Sequence, residues 1–157
     1  MSDAKPEIWF YHLERSTLDQ VLPTLLERTL QRGWRALIRG ATSHRLDDID
    51  ELLWTYRDDS FLPHGRADGD HAARQPVLLS ESGENLNGAQ ALFIVDDSEL
   101  GATQEFARCF IIFDGRDEQA LHHARGRWRT LKADGADLAY WKPVSYTHLT
   151  LPTIYSV

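Results

Sequence analysis

IWFYHL, residues 8–13, is the run that sets the fold class. Five of its six residues are apolar or aromatic, and a continuous run of that kind reads as a buried strand. The period then changes. Leu18, Val21, Leu22, Leu25, Leu26 and Leu30 recur at helical spacing, which predicts a helix over Thr17–Arg32. Ser16 followed by Asp19 resembles its N-terminal cap. Pro23 either kinks this helix or marks where its regular part begins, and Gly33 closes it. A second strand follows at Trp34–Ile38. Strand, helix and strand in succession form the unit from which parallel sheets are built.

The rest of the chain keeps that alternation. His44–Tyr56 reads as a helix with Leu46, Ile49, Leu52 and Leu53 facing inward. Gly65–Gln75 is a polar loop, Pro76–Leu79 a short strand, Ser80–Gly88 another polar loop, and Ala91–Val95 a strongly buried strand. A short helix is expected around Thr103–Ala107. Phe110–Phe113 is the next strand, with the thiol of Cys109 in the core at its entry. Asp117 opens a long helix to about Ala133, stopped near Gly135, and Leu138–Trp141 is extended. The class is therefore α/β: a Rossmann-like, mononucleotide-binding-like sheet, mainly parallel, flanked by helices in three layers of a single domain.

Composition narrows the function. The 157 residues are 42% hydrophobic and 26% charged, the balance of a soluble globular protein. The net charge of −7 argues against broad coating of nucleic acid, so any anion site must be a local basic patch. A single cysteine excludes a disulfide framework and a cysteine zinc site and fits a reducing cytoplasm. No apolar run approaches a membrane span. MSDAKPE is polar and runs straight into a strand, so no signal peptide is expected.

A Rossmann-like class raises the possibility of an enzyme, yet the chemical motifs are missing. The first strand is followed by Glu14-Arg15-Ser16 in place of G-x-G-x-x-G. There is no P-loop and no G-x-S-x-G elbow. His122 and His123 are adjacent and do not share a helix face. Asp68, Asp70 and His71 fit no metal loop, and Asp58-Asp59 reads as a solvated pair more readily than as an acid/base pair. No catalytic residue, cofactor or metal is expected; the pattern favours a binding module.

Two stretches stand out as candidate surfaces. In LLWTYRDDSFLPHG, residues 52–65, Pro63 biases Leu62 away from helix. Phe61 and Leu62 then lie just past a helix end, beside Trp54, and an aromatic there either folds back onto the core or waits for a partner. In the long helix, Leu121, Ala124, Trp128 and Leu131 form a core-facing stripe. A second stripe runs His122, Arg125, Arg129 and Lys132, with Arg127 nearby. Those cations are either a solvated face or a site. Trp128 and the Phe113-Asp114-Gly115 lead-in beside them suit a short peptide ending in a carboxylate.

The order of motifs resembles the chi subunit family of bacterial DNA polymerase III. The motif W-x-x-x-x-x-S-F-x-P-H stands here as Trp54, Ser60, Phe61, Pro63 and His64. Around it lie Phe10-Tyr11, Gly33–Ile38, Gln75-Pro76-Val77, Asn87-Gly88-Ala89, Phe113-Asp114-Gly115, Ala124-Arg125-x-x-Trp128 and Tyr140-Trp141-Lys142. The resemblance covers about residues 7 to 142. It implies a Rossmann-like, non-catalytic clamp-loader accessory protein with two partners. One is the psi subunit, which it assigns to Trp54, Phe61 and Leu62. The other is the acidic, hydrophobic C-terminal tail of single-stranded-DNA-binding protein, assigned to Phe113, Arg125, Trp128 and Arg129. Nucleic acid is then met only indirectly. Asp114 stands just after Phe113, where some chi proteins carry an apolar residue at the tail pocket, and an acid there would repel an acidic peptide.

The leading expectation is a cytoplasmic replisome adaptor. The alternatives are a small Rossmann-like enzyme acting on a nucleotide or phosphorylated metabolite, and a homo-oligomeric structural domain using Trp54 and Phe61 as its own interface. The last residues stand apart. VSYTHLTLPT, residues 144–153, matches one reading frame of a common transposon-derived sequencing adapter. Residues 1–142 are accordingly expected to form the domain and 143–157 a non-native tail.

Overall fold

Burial alternates between the two faces of the strand that opens the chain, and the layers follow from it. The computed structural model describes residues 6–14, 17–56, 62–82, 84–95, 100, 103, 105–142 and 153–155. In β1 (Glu7–Leu13), Tyr11 and Leu13 point into one core and Ile8 and Phe10 into another. The first core lies under α1 (Leu18–Gln31) and α2 (Ser43–Thr55), which contribute Val21, Leu22, Leu25 and Leu26, and Leu46, Ile49 and Leu53. The second lies under α3 (Glu118–Ala133), through Ala120 and Ala124.

Between those layers runs one sheet. Its other strands are β2 (Ala36–Arg39), β3 (Gly65–Arg66), β4 (Val77–Ser80), β5 (Ala91–Ile94), β6 (Arg108–Asp114), β7 (Asp137–Lys142) and β8 (Thr153–Tyr155). The spatial order is β3-β4-β2-β5-β6-β1-β7-β8. Strands β1 to β7 pair in parallel, and β8 runs antiparallel to β7, with Tyr140 opposite Tyr155 and Lys142 opposite Thr153. This is a three-layer, Rossmann-like α/β architecture. The chain leaves β1 over the α1 face and leaves β6 over the α3 face. A crevice therefore opens between β1 and β6 at their carboxyl ends.

Local chemistry sets the helix ends. The Gln20 side chain accepts from the Thr17 backbone N–H at 3.0 Å, so α1 starts one residue beyond the expected Ser16 cap. Pro23 lies inside α1 and is buried; the helix is already regular before it. Thr42 Oγ1 accepts from Arg45 N at 3.1 Å and Asp117 Oδ1 from Gln119 N at 3.0 Å, capping α2 and α3. Gly33 and Gly135, at φ of 83° and 80°, take the left-handed conformation that ends α1 and α3.

The short helix expected around Thr103–Ala107 is a turn in its described part, closed by Phe106 N–H to Thr103 O at 3.1 Å. Phe106 is buried and Ala107 N–H bonds Gln90 O at 2.8 Å, so the sheet draws the backbone straight into β6. The loop expected over Gly65–Gln75 contains β3 and a single 3₁₀ turn at Ala72–Arg74. It is tied to α2 by Arg66, which pairs with Asp47 and donates to Ser43 Oγ at 3.0 Å.

Phe93 is fully buried and stacks on Phe110 with ring centroids 4.4 Å apart and planes 3° from parallel. Phe93→Ala should cost about 3–5 kcal/mol through lost burial and the cavity left behind. Urea unfolding measures it; a loss under about 1 kcal/mol would show that the sheet repacks there.

Candidate functional site: a basic groove beside the third helix

The alternation that builds the second core also builds a groove. On β1, Phe10 and His12 follow Ile8 on the α3 side; on β7, Tyr140 and Lys142 share a face, and Phe10 stands opposite Tyr140 in register. α3 lies across these strands and contributes Leu121, Ala124, Arg125, Trp128 and Arg129. β6 contributes Phe113, the register partner of His12. Together they line a cavity of about 510 Å³. Its aromatic wall is interlocked: Trp128 meets Phe10 edge-on at 5.2 Å and Tyr140 at 6.2 Å, and His12 packs on Phe113 at 5.1 Å.

The four residues assigned to the peptide site, Phe113, Arg125, Trp128 and Arg129, all line this one groove. Arg125 and Arg129 are exposed and one turn apart on its lip. The predicted basic stripe is divided. His122 and Arg127 line a separate shallow hollow with Leu100, His123 and Leu131, and Lys132 lines neither. The sequence pattern did not bring out His12, Tyr140 and Lys142 as site residues. Their signal was the two-residue spacing Phe10/His12 and Tyr140/Lys142, which has meaning only once β1 and β7 are known to adjoin beneath α3.

The groove's charges are ordered. Lys142 Nζ is 2.9 Å from Glu14 Oε1, and His12 Nε2 is 3.5 Å from Glu14 Oε2. His12 Nδ1 is hydrogen-bonded to the Tyr140 hydroxyl. Burial holds the imidazole below the usual histidine range; Glu14 opposes this, and Lys142 and Arg125 add to it. Asp114 lies outside the groove. Its carboxylate accepts from Arg116 N at 2.9 Å and Arg116 Nε at 3.1 Å, and the backbone N–H of Arg116 is the largest cause of its lowered pKa. It faces the β1/β6 crevice, so the acid does not line this groove. Cys109 is buried in the core, its thiol pushed up to about 12 by burial.

The second assigned surface lies on the opposite face of the sheet. Trp54, near the end of α2, is 55% exposed, and its ring rests on His64 with centroids 4.8 Å apart. The His64 side chain is buried, with Nδ1 2.6 Å from Leu62 O and Nε2 2.9 Å from Asp50 Oδ1. The Pro63-His64 turn is thereby clasped to α2. Leu62 is 3% exposed and packs in the core under α1 and α2, so its side chain anchors the segment. Phe61 and Asp58–Ser60 lie outside the described residues. Among the described residues, no group of three His, Cys, Asp or Glu side chains is placed to hold a metal ion, and no helix is long and apolar enough to cross a membrane.

The model of the family "DNA polymerase III chi subunit, HolC" matches residues 6–139. A protein of Rickettsia prowazekii (strain Madrid E), "Probable DNA polymerase III subunit chi", is 24% identical over 111 residues, covering 66% of this chain and 67% of that protein. The chain belongs to the DNA polymerase III chi subunit family. Several chi-type motifs away from the two surfaces are structural. Asn87 is buried and its amide donates to Ala36 O at 3.1 Å and Gln75 O at 2.9 Å, stitching two loops to β2. Arg108 lies 3.8 Å over the Trp9 ring and 5.4 Å from that of Trp34, and Trp9 meets Trp141 at 4.7 Å.

Gly115 explains the glycine after Phe113-Asp114. A Cβ there would overlap the imidazole of His12. Gly115→Ala should therefore destabilise the protein by about 1–3 kcal/mol, the usual cost of overpacking. The penalty should shrink markedly in a His12→Ala background. A double-mutant cycle by urea unfolding reads the coupling; additive penalties would contradict this packing.

Proposed function

We propose that this chi-family protein is a non-catalytic adaptor of the DNA polymerase III replisome in the cytoplasm. It would join the clamp loader, through psi, to the C-terminal tail of single-stranded-DNA-binding protein. The observation that carries this reading is the groove. Two exposed guanidinium groups, Arg125 and Arg129, stand over an aromatic wall that includes Phe113 and Trp128. An acidic peptide ending in an aromatic residue offers carboxylates to the first and a ring to the second. Trp54, on the far face of the sheet, is the exposed aromatic of the psi side, with Phe61 assigned beside it. Two patches on opposite faces suit a protein that holds two partners at once.

The enzyme alternative draws less support. The crevice at the carboxyl ends of β1 and β6 is lined by three carboxylates, Asp19, Asp114 and Asp117, and two guanidinium groups, Arg45 and Arg116. Asp114 and Arg116 already bond each other, and Asp117 caps its own helix, so the crevice suits a phosphate poorly. Residues 143–157 are proposed as a non-native tail, on the adapter-like sequence VSYTHLTLPT and the end of the family match at residue 139.

The test separates the two surfaces. Arg125→Ala should weaken a fluorescently labelled tail peptide about tenfold or more in anisotropy titrations. It should leave capture of psi intact, and added salt should weaken the wild-type peptide complex. Phe61→Ala should do the reverse, costing about 2 kcal/mol or more of psi affinity without changing peptide binding. Wild-type peptide affinity that ignores salt, together with an Arg125→Ala protein that binds as wild type does, would remove the groove as the peptide site.

A further inference from the structure

The β7 wall of the groove has a backbone as well as side chains, and its outer edge has no part in the reading above. β1 pairs with β7 on the inner side, from Asp137 opposite Glu7 to Trp141 opposite Tyr11. On the outer side β8 runs antiparallel and pairs with Tyr140, Trp141 and Lys142. β7 is six residues long, so among the described residues no strand pairs with Asp137, Leu138 and Ala139 on that side. The N–H and C=O of successive residues point to opposite sides of a strand. An edge that offers them is a template for another extended chain.

That edge adjoins the groove. Tyr140 and Lys142 line the cavity together with Arg125 and Arg129 from α3. In an antiparallel pair, directly opposed residues share a face of the sheet. The residues of an added strand that stand opposite Tyr140 and Lys142 therefore lie on the α3 side, next to the cavity. The other wall is α3, whose backbone groups bond along the helix itself. A peptide with side chains in the groove thus finds backbone partners on the β7 wall.

We propose that the outer edge of β7 is a strand-docking site for the acidic peptide of the groove, and that β8 holds the place of that strand in this chain. The proposal rests on the groove being that peptide's site. β8 shows that the edge accepts an antiparallel strand. Charge selects the occupant. The edge runs up to Lys142, which shares the cavity with Arg125 and Arg129, and β8 is a three-residue strand without an acidic residue. An acidic strand on the same edge brings carboxylates to those cations. Competition follows, because β8 and the peptide use the same backbone groups. The peptide binds only the fraction of molecules in which β8 has left the edge.

The probe is a synthetic acidic peptide with a C-terminal phenylalanine and a free α-carboxylate, titrated against the full chain by fluorescence anisotropy. It is made unmodified and in two N-methylated forms, one for each alternating set of backbone nitrogens. Only one set of N–H groups faces β7 in an added strand. One methylated form should therefore bind about tenfold or more weakly, and the other as the unmodified peptide does. A second experiment releases β8 with Thr153→Pro and Ile154→Pro together, since one of two adjacent N–H groups must face β7. Faster amide hydrogen exchange at residues 140–142 registers the release. The released chain should bind the unmodified peptide about threefold or more tightly than the wild type. Equal affinity for the two methylated forms, or an affinity unchanged by the release of β8, overturns this proposal and leaves the groove reading standing. A released edge that pairs with a second copy instead, seen as a dimer in sedimentation with peptide affinity unchanged, also overturns it. Failure of the wild type to bind the unmodified peptide removes the groove reading and this proposal with it.

Discussion

Strand β1 is held on four sides, and the rest of the molecule is arranged by that. β6 and β7 bond its two edges, and helices cover its two faces. Its side chains must alternate between those faces, so Tyr11 and Leu13 commit to the core under α1 and α2 while Ile8 and Phe10 commit to the core under α3. A slip of one residue would exchange the two sets and move every ring to the wrong core. His12 is carried to the α3 side by the same constraint. A groove with a polar floor is thus a consequence of packing a strand whose last residue on the α3 side is not apolar.

The electrostatics are local. The chain carries a net charge of −7, yet Arg125, Arg129 and Lys142 converge on one cavity from a helix and a strand. On the proposed reading, such a site would select an acidic ligand through short-range, partly shielded bonds, because the long-range field of the protein repels it. The acid that threatened this arrangement, Asp114, is held by Arg116 and faces another crevice. The strand explains why: Phe113 faces the α3 side with His12, so Asp114, the next residue, faces away from it.

Much of the fold was legible because its signals are local. The apolar runs at 8–13 and 91–95 and the helical stripes of α1 and α3 need no knowledge of neighbours. The turn around Thr103–Ala107 was misread as helix because a buried Phe106 and a bond from Ala107 to Gln90 depend on tertiary context. The groove was half legible. Arg125, Trp128 and Arg129 share a helix, and Phe113 stands close before it in sequence. His12 and Tyr140 are 128 residues apart, and only the order of strands brings them together. Leu62 shows the opposite case: its place in the motif suggested a surface, and the clasp of His64 on Leu62 and Asp50 draws it into the core.

The most direct test of the central claim, that an acidic peptide occupies the groove between α3 and β7, is chemical-shift mapping. Backbone amides, arginine Nε–H and tryptophan indole N–H signals of the labelled protein would be followed as the peptide is added. The account predicts shifts confined to Phe10, His12, Phe113, Arg125, Trp128, Arg129 and Tyr140, with Trp54 unmoved on the opposite face. Shifts at Trp54, or at Asp19, Asp114 and Asp117 in the β1/β6 crevice while the groove stays silent, would contradict it.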